Sequence, residues 1–104
     1  MSAQTDLFRI REEDDGERFA LDGELSFASV GIALKNTAKL LASSTETVFD
    51  LAGIARADSA GVALLLEWRR RAKEAGIKLH YVNLPPQLLA IARVAGVDDL
   101  LCGD

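Results

Sequence analysis

Apolar and polar positions alternate from the start of the chain. Leu7, Phe8 and Ile10 interleave with Arg9 and Arg11, a period-two pattern that predicts a short edge strand. The acidic run Glu12-Glu13-Asp14-Asp15, closed by Gly16, has no apolar periodicity and predicts a turn. From Arg18 to Leu25, Phe19, Leu21, Gly23 and Leu25 share one face while Asp22 and Glu24 take the other, so a second strand folds back on the first. The period then lengthens. Val30, Ala33, Leu34, Thr37, Ala38 and Leu41 recur at helical spacing, predicting a helix from a cap at Ser26 to about Ala42. After the polar break Ser43-Ser44-Thr45, the β-branched and aromatic stretch from Thr47 to Leu51 predicts a buried central strand, and Gly53 to Ala57 reads as a small-residue connection.

Asp58 stands where the next helix begins. Gly61, Leu65, Trp68, Ala72 and Ala75 repeat in steps of four and three, predicting a long helix from Ser59 to Ala75 that Gly76 ends in a left-handed conformation. Ile77 to Val82 reads as a strand. Pro85 and Pro86 open a last helix that runs to about Ala95 and is closed by Gly96, with Leu88, Ile91, Ala92 and Ala95 facing inward. This order contains two consecutive strand–helix–strand units, whose right-handed crossovers make their strands parallel. The expected fold is therefore α/β: a single domain over residues 7–104, with a mixed, mostly parallel sheet, an antiparallel starting hairpin and about three helices. Met1 to Asp6 is expected to be a flexible N-terminus.

Composition narrows the function. A chain of 104 residues, 49% hydrophobic and 27% charged, has material for one core and little for a second. A net charge of -4 and a pI near 4.9 exclude a sequence-independent nucleic-acid binder and disfavour direct contact with anionic membranes. The lone Cys102 excludes an internal disulfide. With no signal-peptide core and no apolar run of roughly 20 residues, the expectation is a soluble cytoplasmic protein.

A catalytic constellation is hard to assemble from these residues. His80 is the only histidine, and neither it nor Cys102 has metal-ligand spacing. Gly53 and Gly61 flank Ile54 to Ala60 without the lysine of a phosphate loop. Asp50 and Asp58 invite comparison with a carboxylate pair, but Asp58 as a helix cap and Asp50 as a strand residue facing solvent or a loop amide is the stronger reading. Arg69, Arg70, Arg71 and Lys73 lie at ion-pair spacing from Glu67 and Glu74, as on a solvated helix face, and Trp68 falls on the apolar stripe. No enzyme activity, cofactor or metal is expected. Ser59 differs from these: it occupies a first helical turn, where unpaired N–H groups and the helix dipole favour a negative group. Its small neighbours Ala57, Ala60 and Gly61 leave room for a kinase or a partner's backbone, although spacing alone also describes a plain helix-start serine.

Asp22-Gly23-Glu24-Leu25, Val48-Phe49-Asp50-Leu51 and Ala57-Asp58-Ser59-Ala60-Gly61-Val62-Ala63-Leu64-Leu65 together resemble the STAS family, named for sulfate transporters and anti-sigma factor antagonists. Val94 to Leu101 resembles the family's closing segment. In anti-sigma factor antagonists, the serine matching Ser59 is phosphorylated by an anti-sigma factor kinase within an Asp-Ser-Ser-Gly motif; here the third residue is Ala60. Gly61 to Ala72 is more similar to MlaB-type subunits of the Mla phospholipid ABC transporter, in which the corresponding surface binds the cytoplasmic ATPase subunit. The resemblance implies a non-enzymatic protein that docks through Ser59 and Ala60, with Asp58 as the loop-to-helix cap and Arg56 at the rim. It further implies a place on the cytoplasmic side of the inner membrane, with membrane association only through the partner. Many relatives carry aspartate where this chain has Ser26.

Overall fold

The computed structural model describes residues 7–38 and 45–102. In chain order the elements are β1 (Phe8–Glu13), a 3-10 turn (Asp14–Gly16), β2 (Arg18–Leu25), α1 (Val30–Thr37), β3 (Glu46–Ala57), α2 (Ser59–Glu74), β4 (Lys78–Val82), α3 (Pro86–Ala95) and α4 (Asp98–Cys102). The sheet order is β1-β2-β3-β4. The β1–β2 pair is antiparallel and the two inner pairings are parallel, as the two crossovers require. β4 pairs with β3 only from Glu46 to Asp50, so the second half of β3 has β2 as its strand partner among the described residues.

α2 is the central helix, packing against β2, β3, β4 and the other three helices. Its buried stripe is Gly61, Val62, Leu64, Leu65, Trp68 and Ala72, close to the face its periodicity predicts. At the centre of the core the Phe49 ring meets Trp68 edge-on at 5.2 Å and Phe19 edge-on at 6.0 Å. The indole N–H of Trp68 is fully buried and donates to Thr37 Oγ1 at 2.7 Å; that hydroxyl in turn donates to the Ala33 carbonyl at 2.8 Å. A polar link thus ties α1 to α2 inside an apolar core.

The structure departs from the sequence expectations at four places. Glu12 and Glu13 belong to β1, because they pair with Phe19 and Arg18 of β2. The first helix starts at Val30: Ser26 begins a turn whose carbonyl accepts from Ser29 and Val30, and its hydroxyl donates to Glu24. The expected end of that helix near Ala42, the polar break at Ser43 and Ser44, and the flexible Met1–Asp6 lie outside the described residues. Gly53 to Ala57 continues β3, paired with Asp22 to Leu25 of β2 across register shifts at Ala20/Asp22 and Gly23/Glu24, so that ladder hydrogen bonds override weak strand propensity. Finally, Asp98–Cys102 forms a fourth, short helix.

Asp50 therefore lies mid-strand, where it ties the sheet together. One oxygen accepts from the Ala52 amide and Asn83, the other from Arg18 at 2.7 Å. The Asn83 and Ala52 hydrogen bonds, helped by Arg18, hold its carboxyl below the ordinary value of 3.8. A depressed carboxylate contributes stability above that value, and the contribution is lost as pH falls through and below it. Thermal melts from pH 7 to pH 3 should show a shallower acid limb for Asp50→Asn than for the wild type. Superimposable limbs would refute the assignment.

Candidate functional site

Three connections meet at the end of the sheet where β2 and β3 stop. Asp58 is extended and caps α2, its Oδ1 accepting from the Ala60 amide at 2.9 Å. Its Oδ2 accepts from the Phe27 amide at 3.2 Å, and its own amide donates to the Leu25 carbonyl at 3.2 Å. One carboxylate thus stitches the β2–α1 loop to the β3–α2 junction. The first turn of α3 joins them, with Gln87 Oε1 accepting from the Ala57 amide at 3.4 Å. Beneath, Gly61 is buried so close to β2 that an added Cβ would overlap the Leu25 carbonyl oxygen.

On this frame Ser59 and Arg56 are exposed and Asp58 and Ala60 half-buried. One exposed residue of this region was missed. Phe27 is 83% exposed, and its backbone is held against Asp58. The sequence pattern placed it inside a helix, three residues before Val30 and seven before Leu34, in step with that helix's apolar positions, so its exposure was not legible there. Gln87 was missed too, because nothing local signals a side chain that reaches another strand.

The arrangement presents an exposed helix start. Ser59 has no hydrogen-bonded base among the described residues, and both Asp58 oxygens already accept backbone N–H groups. Asp50 and Asp58 are not brought together: extended β3 separates them by on the order of 20 Å. No group of three metal-capable side chains occurs among the described residues. His80 lies on β4, its Nε2 2.9 Å from Glu46 Oε2. Two members of the basic cluster, Arg70 and Arg71, are ion-paired along the helix. Glu67 bridges Arg70 at 2.7 Å and Arg71 at 2.8 Å, which draws its carboxyl down to about 2, and Arg70 also reaches Glu74 at 3.0 Å.

Comparison with solved structures returns the same architecture. The anti-sigma factor antagonist SpoIIAA in its unphosphorylated form superposes with a TM-score of 0.70 at 18% identity, covering 90% of this chain and 84% of that one. An anti-sigma-factor antagonist (STAS) domain protein from Planctomyces limnophilus gives 0.70 at 16% identity, covering 91% and 86%. SLC26A9 gives 0.63 at 20% identity over 77% of this chain, which spans 16% of that longer one. At such identities the likeness speaks for the fold. A search of the curated proteins found no match. The family model described as "Mlab, STAS domain" matches residues 8–102, from the first residue of β1 to the last of α4. With that match spanning every element of the fold, the chain belongs to the STAS domain family, in its MlaB-type branch.

Proposed function

We propose that this protein is a non-catalytic subunit that binds and supports the ATPase of an Mla-type phospholipid-trafficking ABC transporter, and so serves outer-membrane lipid asymmetry. The observation that carries this reading is the MlaB-type family match over residues 8–102. The docking surface is Ser59, Asp58, Ala60 and Arg56, extended by Phe27. Such a protein sits in the cytoplasm, peripheral to the inner membrane through its partner. What supports the surface is its build: a capped helix start, fixed to two neighbouring loops, offering one exposed aromatic and small residues for close approach.

The test is binding of the purified protein to the ATPase subunit. Ser59→Arg puts bulk and charge at an exposed first-turn position, so the variant should fold normally yet bind about 100-fold more weakly, roughly 2.7 kcal/mol. Phe27→Ala should weaken binding by about tenfold or more, as loss of an aromatic anchor does. Full co-purification of Ser59→Arg with the ATPase would refute the reading.

The exposed Ser59 at a helix start, on a fold shared with SpoIIAA, favours one alternative: an anti-sigma factor antagonist switched by phosphorylation of Ser59. A phosphate-affinity gel shift with an anti-sigma factor kinase, abolished in Ser59→Ala, would decide for it.

A further inference from the structure

At the opposite end of α2 from Ser59 lies a cavity of about 840 Å³ among the described residues, walled by the last turns of α2, the starts of β3 and β4, and α4. Its lining residues on α2 begin at Leu66 and end at Lys73, which separates the cavity from the helix start by about 10 to 20 Å along the helix axis. The cavity volume is within the range of small-molecule sites. Its apolar lining comes from Leu66, Ile77, Leu79 and Leu100, the last 58% exposed. Around them stand four cations, Arg69, Arg70, Lys73 and Lys78, against two carboxylates, Glu46 and Asp99. This local excess of positive charge occurs in a protein whose net charge is -4.

The cations are not equivalent. Arg70 is consumed by Glu67 and Glu74. Arg69, Lys73 and Lys78 have no carboxylate partner among the described residues. The Arg69 guanidinium is held in place, donating to the carbonyls of Leu79 at 3.1 Å and Leu101 at 3.0 Å and lying 4.9 Å from the Tyr81 ring centroid. Its Nε is buried and has no acceptor among the described residues, an arrangement protein interiors rarely leave unanswered. A fixed, incompletely satisfied guanidinium beside two free ammonium groups and an apolar lining matches one ligand chemistry, an apolar body ending in a single anionic head.

We infer that this cavity is a binding site for a small anionic amphiphile, with a carboxylate or phosphate head held by Arg69, Lys73 and Lys78 and an apolar body against Leu66, Ile77, Leu79 and Leu100. The site is separate from the docking surface and does not depend on the identity of the partner.

The test is NMR titration of the ¹⁵N-labelled protein with decanoate, decyl phosphate, decyltrimethylammonium and inorganic phosphate, each below its micelle concentration. Saturable shifts by either decyl anion should fall on the amides of Arg69–Lys73, Lys78–His80 and Asp99–Leu100, with Phe27 and Ser59 unmoved; the tighter anion identifies the head. Decyltrimethylammonium and inorganic phosphate should each bind at least about tenfold more weakly, and Lys73→Glu/Lys78→Glu should weaken the anions by a similar factor. Both lysines are exposed, so the double variant tests charge without disturbing the core. The inference is overturned if neither anion saturates, if the shifts map elsewhere, or if the cationic amphiphile or free phosphate binds as tightly as the decyl anions.

Discussion

Trp68→Ala is expected to destabilise the protein by about 3–5 kcal/mol, the range for emptying a buried aromatic site. Trp68 is fully buried, meets Phe49 edge-on and Phe8 at 6.4 Å, and bonds through its indole N–H to Thr37. Domains of this kind are stable by about 5–15 kcal/mol, so the loss takes a large share of the total. Urea unfolding should report it as a midpoint lower by about 1–3 M. Thr37→Val separates the polar part of the effect from the packing part. It keeps the volume but leaves the indole N–H unpaired, for a loss of about 1–3 kcal/mol. In a Trp68→Phe background, where there is no N–H to orphan, the same change should be close to neutral. A Trp68→Ala variant within about 1 kcal/mol of the wild type would sink this account of the core.

Gly61→Val should destabilise by about 3 kcal/mol or more, and for a different reason. The added carbons would enter the space of the Leu25 carbonyl, which is backbone, so no side-chain rotation relieves the overlap. Either α2 moves off the sheet or β2 bends, and both shift the frame that carries Ser59. Partner binding should fall together with stability. Gly31 is the control: it lies inside α1, an added Cβ meets nothing within 4 Å, and Gly31→Ala should stabilise by about 0.5–1 kcal/mol. Equal effects at the two glycines would show that close helix–sheet approach is not what Gly61 provides.

Most of what positions the site could be read from residue order, because it is governed by local chemistry. Asp58 caps the helix it was expected to cap. Gly76 and Gly96 take the left-handed conformations that end α2 and α3, and Trp68 is core. What escaped depends on contacts distant in sequence. Ala52, Gly53 and Ala55 are poor strand formers and become strand because Gly53, Ile54, Arg56 and Ala57 beside and among them pair with Asp22 to Leu25, with Ala52 and Ala55 falling at the register shifts; Gly53 is moreover required there, since a Cβ would overlap Asp22 and crowd the Leu21 carbonyl. The start of α1 was misplaced because Ser26 looks like a cap, whereas the Asp58 carboxylate holds the following residue in a loop. That tertiary hydrogen bond is also what holds the Phe27 backbone against Asp58, and no local pattern encodes it.

β3 outruns β4. Its first half is gripped on both edges, and a change there is felt across the sheet. Its second half rests on β2, and Ala52, Ala55 and Arg56 face outward on the approach to Ser59. Drift in sequence is therefore cheapest on the stretch that leads to the proposed docking surface and dearest at the opposite end. Descendants of such a chain can exchange partners by altering those outward positions while inheriting an unchanged core, and so one scaffold can be re-addressed without being refolded.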